Sequence, residues 1–157
     1  MSPPVIAGDT VFIPARDAQS MFSVSVTCNP EPSILLSITV TSSPAYADGV
    51  LYMANDNFIQ AWDAKSRQQL WQFPGPDTVD PPKGRVGWPV VGNGVLYFTT
   101  DEPYLYAIDV ETHEELWRFK LDGRVVSRPA IMNGAIVVGD VSGTIVAIGC
   151  SNPPECG

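Results

Sequence analysis

Apolar residues in this chain come in short runs, each bracketed by polar turn signals. Val50-Leu51-Tyr52-Met53, Val95-Leu96-Tyr97-Phe98 and Ala135-Ile136-Val137-Val138 are unbroken apolar stretches. Asp48-Gly49, Asn93-Gly94 and Asn133-Gly134 precede them. Such pairs tolerate positive φ and mark tight hairpins. Strict alternation would mean one wet face, so these continuous runs predict strands covered on both faces. Polar turns follow at Asn55-Asp56-Asn57, Asp101-Glu102-Pro103 and Asp140-Val141-Ser142-Gly143, and then third strands at 58–62, 104–108 and 144–148. Gln69–Phe73 and Glu115–Phe119 complete two of the units with a fourth, outer strand. Aromatic and β-branched enrichment favours strands throughout.

The pattern repeats. Pro4-Val5-Ile6-Ala7-Gly8-Asp9-Thr10-Val11-Phe12 returns with variation from Pro44, Pro89 and Pro129, at spacings of 40, 45 and 40 residues. A period of roughly 40–50 residues built from short strands and tight turns reads as β-propeller blades. The prediction is an all-β chain, a partial propeller of about four four-stranded antiparallel blades. Their bounds are roughly 1–41, 42–74, 86–121 and 126–157, in one propeller segment spanning 1–157. The first repeat is degenerate, with Met21–Val26 as its third strand and Ile34–Val40 as its fourth. The last lacks its outer strand. Pro74–Gly87, with four prolines, is the one long irregular connection. It reads as a proline-stiffened link, or as a functional loop on a rigid scaffold.

Composition narrows the partners. The chain carries 9 Lys and Arg against 17 Asp and Glu, a net charge of −8. That balance excludes nucleic-acid phosphates and anionic membrane surfaces, which need a basic patch. No run approaches the ~18 apolar residues of a membrane span. Met1-Ser2-Pro3-Pro4 leads into the first repeat without a basic or apolar leader, so no signal peptide is read, and the start resembles that of an excised segment. Cys150 and Cys156 bracket a proline-containing loop that suits either a disulfide or two free thiols; Cys28 is left over. A disulfide there would imply an oxidising compartment.

A finer pattern crosses the third and fourth strands. Ala61-x-Asp63 is followed by Trp71, and Ala107-x-Asp109 by Trp117, both with an Asp-to-Trp separation of eight. With Ser43-Pro44 and Gly49-Val50-Leu51-Tyr52, this resembles the tryptophan-docking motif of the PQQ-like (quinoprotein-like) propeller repeat. The six residues are expected to act as staples between blades: a large ring buried on the neighbouring blade, a small alanine making room, and an aspartate accepting turn N–H groups. The motif's usual turn glycine is Arg67 in one copy and His113 in the other. The resemblance implies an extracytoplasmic setting, periplasmic or secreted. It also implies a ring of about eight blades, completed here by missing chain or by a second copy.

Candidate chemistry gathers on one face. The second-to-third-strand turns, carrying Asp56, Asp101 with Glu102, and Asp140, should emerge beside the connections between blades, where Trp88 and Arg128 precede the signature prolines. That face is the expected site for a protein, peptide or planar ligand, with Trp88 as a stacking platform. No nucleophile–base pair can be assembled, and His113 is expected on the opposite face. The resulting expectation is a non-catalytic binding scaffold with no cofactor and no metal. The alternative is part of a dehydrogenase that uses PQQ and calcium to oxidise alcohols or sugars.

Overall fold

Asp48-Gly49 and Asn93-Gly94 do fold as type I′ hairpin turns. Asp48 and Gly49 have φ of 48° and 84°, and Asn93 and Gly94 have 51° and 75°. Two consecutive positive φ values match the twist of the flanking strands. The computed structural model of the chain describes residues 3–15, 20–26, 33–36 (main chain only), 40–76, 78–125, 127–132 and 134–149.

Among the described residues fifteen strands form four antiparallel sheets, each in chain order from inner to outer strand. Blade 1 holds β1 (Val5–Ala7), β2 (Thr10–Ala15), β3 (Ser20–Ser25) and β4 (Ser33–Leu36). Blade 2 holds β5 (Ala45–Ala47), β6 (Val50–Ala54), β7 (Ile59–Asp63) and β8 (Gln69–Phe73). Blade 3 holds β9 (Val86–Gly92), β10 (Val95–Thr100), β11 (Tyr104–Asp109) and β12 (Glu115–Lys120). Blade 4 has three described strands, β13 (Ala130–Met132), β14 (Ala135–Gly139) and β15 (Ile145–Gly149). The fold is therefore all-β, a stack of propeller blades. Cys28, Cys150 and Cys156, and with them the disulfide question, lie outside the described residues.

Three apolar clusters fill the gaps between blades. Phe12 and Met21 of blade 1 meet Leu51 and Met53 of blade 2, with Trp62 packed against them. Tyr52, Ile59 and Phe73 of blade 2 meet Leu96, Phe98 and Tyr106 of blade 3. Leu105 of blade 3 meets Ile136 and Val138 of blade 4. β6 is covered on both faces, as a continuous apolar run requires. β14 departs from that expectation: Ile136 and Val138 are buried, but Val137 on the other face is only half-buried. No further sheet covers that face among the described residues, and Met132 and Ile145 lie exposed there. Blade 1 mirrors this with Ile6 and Ile13 on its free side.

One strand begins earlier than the signature proline predicts. β9 starts at Val86, and its register with β10 shifts between Tyr97 and Thr99. Trp88 and Pro89 together oppose Phe98, which makes a β-bulge. Proline fits there because a bulge frees it from donating to the ladder.

Candidate functional site

Blades 2 and 3 carry one arrangement twice. Ala61 sits between Tyr52 and Trp71 across three strands, and Ala107 between Tyr97 and Trp117. Both alanines are fully buried. Over that small residue the rings meet: Tyr52–Trp71 and Tyr97–Trp117 each have centroids 5.9 Å apart. Trp71 packs on the cluster shared with blade 3 and Trp117 on the cluster shared with blade 4. Trp71 also stacks on His113 of blade 3, centroids 4.6 Å apart.

The aspartates hold the turns. Lys65 and Ser66 N–H donate to Asp63 Oδ1 at 3.1 and 2.5 Å, and Glu111 and Thr112 N–H donate to Asp109 Oδ1 at 2.8 and 2.7 Å. The Ser66 and Thr112 N–H groups chiefly lower the two carboxyl pKa values below the usual range. Arg67 and His113, at the glycine position of the motif, adopt φ of 62° and 63°. Their N–H groups close the turns onto the Asp63 and Asp109 carbonyls.

At the channel mouth a cleft of about 160 Å³ joins blades 2 and 3. Its centre is the chain entering β9. Arg85 donates from Nε and Nη2 to Asp56 Oδ1 at 3.0 and 2.5 Å, while its main-chain N–H donates to Asp101 Oδ1 at 2.6 Å. The Asp56 contact raises the arginine pKa further. Gly84 makes this approach possible: its φ is +79°, and a Cβ there would collide with Asp101 Oδ1. Trp88 lines the same cleft with φ +47°, a conformation that a bulky residue holds only under strain. The buried Ser42 hydroxyl oxygen accepts the Trp88 N–H at 2.9 Å.

The structure thus brings together Trp88, Asp56 and Asp101. Glu102 lies exposed beside Asp101, and its carbonyl accepts the Thr100 hydroxyl at 2.7 Å. Asp140 stays in its own turn, where Oδ1 accepts the Ser142 and Thr144 N–H groups. Arg128 reaches from blade 4 to the Pro44 carbonyl of blade 2 at 3.4 Å. Sequence reasoning missed Arg85, Arg124 and Ser42. Arg124 also lines the cleft, and its carbonyl accepts Val141 N–H as the Arg85 carbonyl accepts Asp101 N–H. Superposing the repeats shows an arginine shortly before two of the four signature prolines, which is the signal that was available.

The carboxylates do not fit a calcium site. That ion takes 6–8 oxygens, whereas Asp56 and Asp101 are both engaged by Arg85. Among the described residues no three His, Cys, Asp or Glu side chains converge.

Comparison with known proteins agrees with the repeat. The PQQ_2 family model, described as outer membrane protein assembly factor BamB, matches residues 55–149. The chain belongs to this family. Both copies of the docking motif lie inside the match. BamB from Moraxella catarrhalis superposes with a TM-score of 0.73 at 11% identity, over 93% of this chain and 42% of that one. The computationally designed Ika8 protein gives 0.74 at 12% identity, over 94% and 45%. The designed Ika4 protein gives 0.74 at 12% identity, over 94% and 91%. At these identities the likeness concerns the fold alone. The chain spans less than half the length of BamB and Ika8. No curated protein sequence matches it.

Proposed function

We propose that the chain is a non-catalytic propeller scaffold that binds a protein partner through its channel-mouth face, in an extracytoplasmic compartment. The observation that carries this reading is Trp88, held in a strained left-handed conformation at the mouth of the cleft and flanked by Arg85, Asp56 and Asp101. Strain of this kind costs about 1–3 kcal/mol and persists where the surroundings over-determine it, commonly at binding sites. An indole framed by both signs of charge suits a protein surface with an apolar anchor and a polar rim. The family's role in outer membrane protein assembly supports such a partner in the bacterial envelope. The exposed Ile6, Ile13, Met132 and Ile145 support completion of the ring by further blades or by a second copy of this chain.

The test is surface plasmon resonance of the purified chain against a purified outer-membrane assembly complex, repeated with Trp88→Ala and Arg85→Glu. Binding weakened at least about tenfold by each change supports the reading, as expected for a central aromatic anchor and its charged neighbour. Binding unaltered by both rejects it. In a parallel arm the protein is mixed with PQQ and calcium and then gel-filtered. A chromophore that travels with the protein would favour the dehydrogenase alternative.

A further inference from the structure

A second cleft, of about 880 Å³, opens on the outer rim between blades 2 and 3, away from the channel mouth. One side is β8, the last strand of its sheet. Asp63 N–H donates across to Gln68, so the alternate residues Ala61 and Ile59 also face β8. Their partners Trp71 and Phe73 bond inward. Gln72, between them, turns its main-chain N–H and C=O outward, a strand edge that no described residue pairs with. The floor is the Trp71–His113 stack.

The other side is fixed in place. Arg118 of β12 donates to Asp80 Oδ2 at 2.8 Å and to the Asp80 carbonyl at 2.9 Å, and also pairs with Glu115 at 2.6 Å. Its guanidinium lies 5.2 Å from the centre of the Tyr106 ring, and Lys83 N–H donates to the Tyr106 hydroxyl oxygen at 3.2 Å. The proline-rich segment is thereby latched to blade 3 instead of closing over β8. Val79 on that segment is 98% exposed, an apolar lip with nothing packed on it.

Charge selects the occupant. Asp80, Glu114 and Glu115 line the cleft against Arg118, which is spent on two of them. Glu114 is exposed and remains the free acidic group at the rim. We propose that this cleft takes an extended, cationic polypeptide segment, which adds a fifth strand to blade 2 along β8 and places a lysine or arginine beside Glu114. Main-chain pairing supplies affinity in strand addition, and side-chain chemistry supplies selection. This site is separate from the channel mouth and does not depend on the reading given for it.

The experiment is nitrogen-15 NMR of the whole chain titrated with a short synthetic peptide alternating lysine and valine, and with its glutamate–valine counterpart. The lysine peptide should shift the resonances of Gln69–Phe73 and the Trp71 indole, and slow hydrogen exchange at the Gln72 amide. Gln72→Pro removes the outward N–H without taking an inward ladder bond, and should weaken binding about tenfold. Glu114→Lys, an exposed change that leaves the fold alone, should reverse the preference toward the glutamate peptide. No shift, shifts confined to Arg85 and Trp88, equal response to both peptides, or unchanged preference in Glu114→Lys would each overturn the proposal.

Discussion

The gap between blades 2 and 3 and the gap between blades 1 and 2 are both filled by a tryptophan, but from opposite directions. Trp71 projects forward from an outer strand onto blade 3, over Ala61, with Tyr52 and His113 against its ring. Trp62 projects backward from β7 onto the cluster formed with blade 1, and its Nε1 is buried without a partner among the described residues. The same need, a large ring added to the apolar cluster in the wedge between blades, is met once with the motif and once without it. The motif is therefore more than apolar area. It lets the ring be placed by a small neighbour and a fixed turn.

Trp71→Ala tests this most severely. Removing a large, well-packed ring should cost about 3 kcal/mol, read as a lower urea midpoint with unchanged slope. Trp117→Ala should cost a similar amount but act locally, because blade 4 shares its apolar cluster with blade 3 and meets blade 2 through the Arg128–Pro44 hydrogen bond. Hydrogen exchange should then open β13–β15 while blades 2 and 3 stay protected. Uniform loss of protection in Trp117→Ala would mean that the blades do not behave as nearest-neighbour units.

Trp62→Phe sharpens the contrast. It gives up part of the ring but also removes a buried donor whose lack of a partner costs about 1–3 kcal/mol. The two effects offset each other, so stability should stay within about 1 kcal/mol of the parent chain. A larger loss would show that the indole N–H is bonded after all.

How much of this was legible in the sequence depends on the range of the interaction. The hairpins, the repeat and the staples rest on residues close together in the chain, and Asp48-Gly49, Asn93-Gly94 and Ala61-x-Asp63…Trp71 declare them directly. Asp56, Asp101 and Trp88 line one cleft because the blade meander dictates which turns share a face. Arg85 was missed because its role comes from side-chain reach between two turns, which no spacing encodes. The same holds for Arg118, whose contacts with Asp80 span 38 positions. Trp62 was unreadable for a different reason: the first blade lacks the docking tryptophan, and only packing reveals which neighbour substitutes for it.

The two turn residues at the glycine position offer a smaller and more exacting comparison. Arg67 and His113 share the same left-handed φ, and glycine at such a position relieves backbone strain worth about 0.5–1 kcal/mol. His113→Gly relieves the same strain but forfeits the stack on Trp71, worth about 0.5–1.5 kcal/mol. Its net effect should be nil or slightly destabilising. Stabilisation of about 0.5–1 kcal/mol in His113→Gly would mean that the His113–Trp71 stack contributes nothing to the interface.

Acid gives the mildest perturbation and separates the turns from the rings. Asp63 and Asp109 have pKa values lowered by turn N–H groups, so folding favours their charged forms. Their contribution is present above the unfolded carboxyl pKa of about 4 and is lost as pH falls through the lower folded values. Asparagine keeps an acceptor oxygen but cannot titrate, so the Asp63→Asn, Asp109→Asn double variant should lose less stability than the parent on acidification. Near neutral pH it should be the less stable of the two, since a neutral amide accepts those N–H bonds more weakly than a carboxylate. Because both carboxylates are solvent-facing, the gap between the two urea-midpoint curves should be small and should narrow steadily below pH 4. Parallel curves across the acid range would assign acid sensitivity to other carboxylates, with Asp140, also lowered by its turn, first among them.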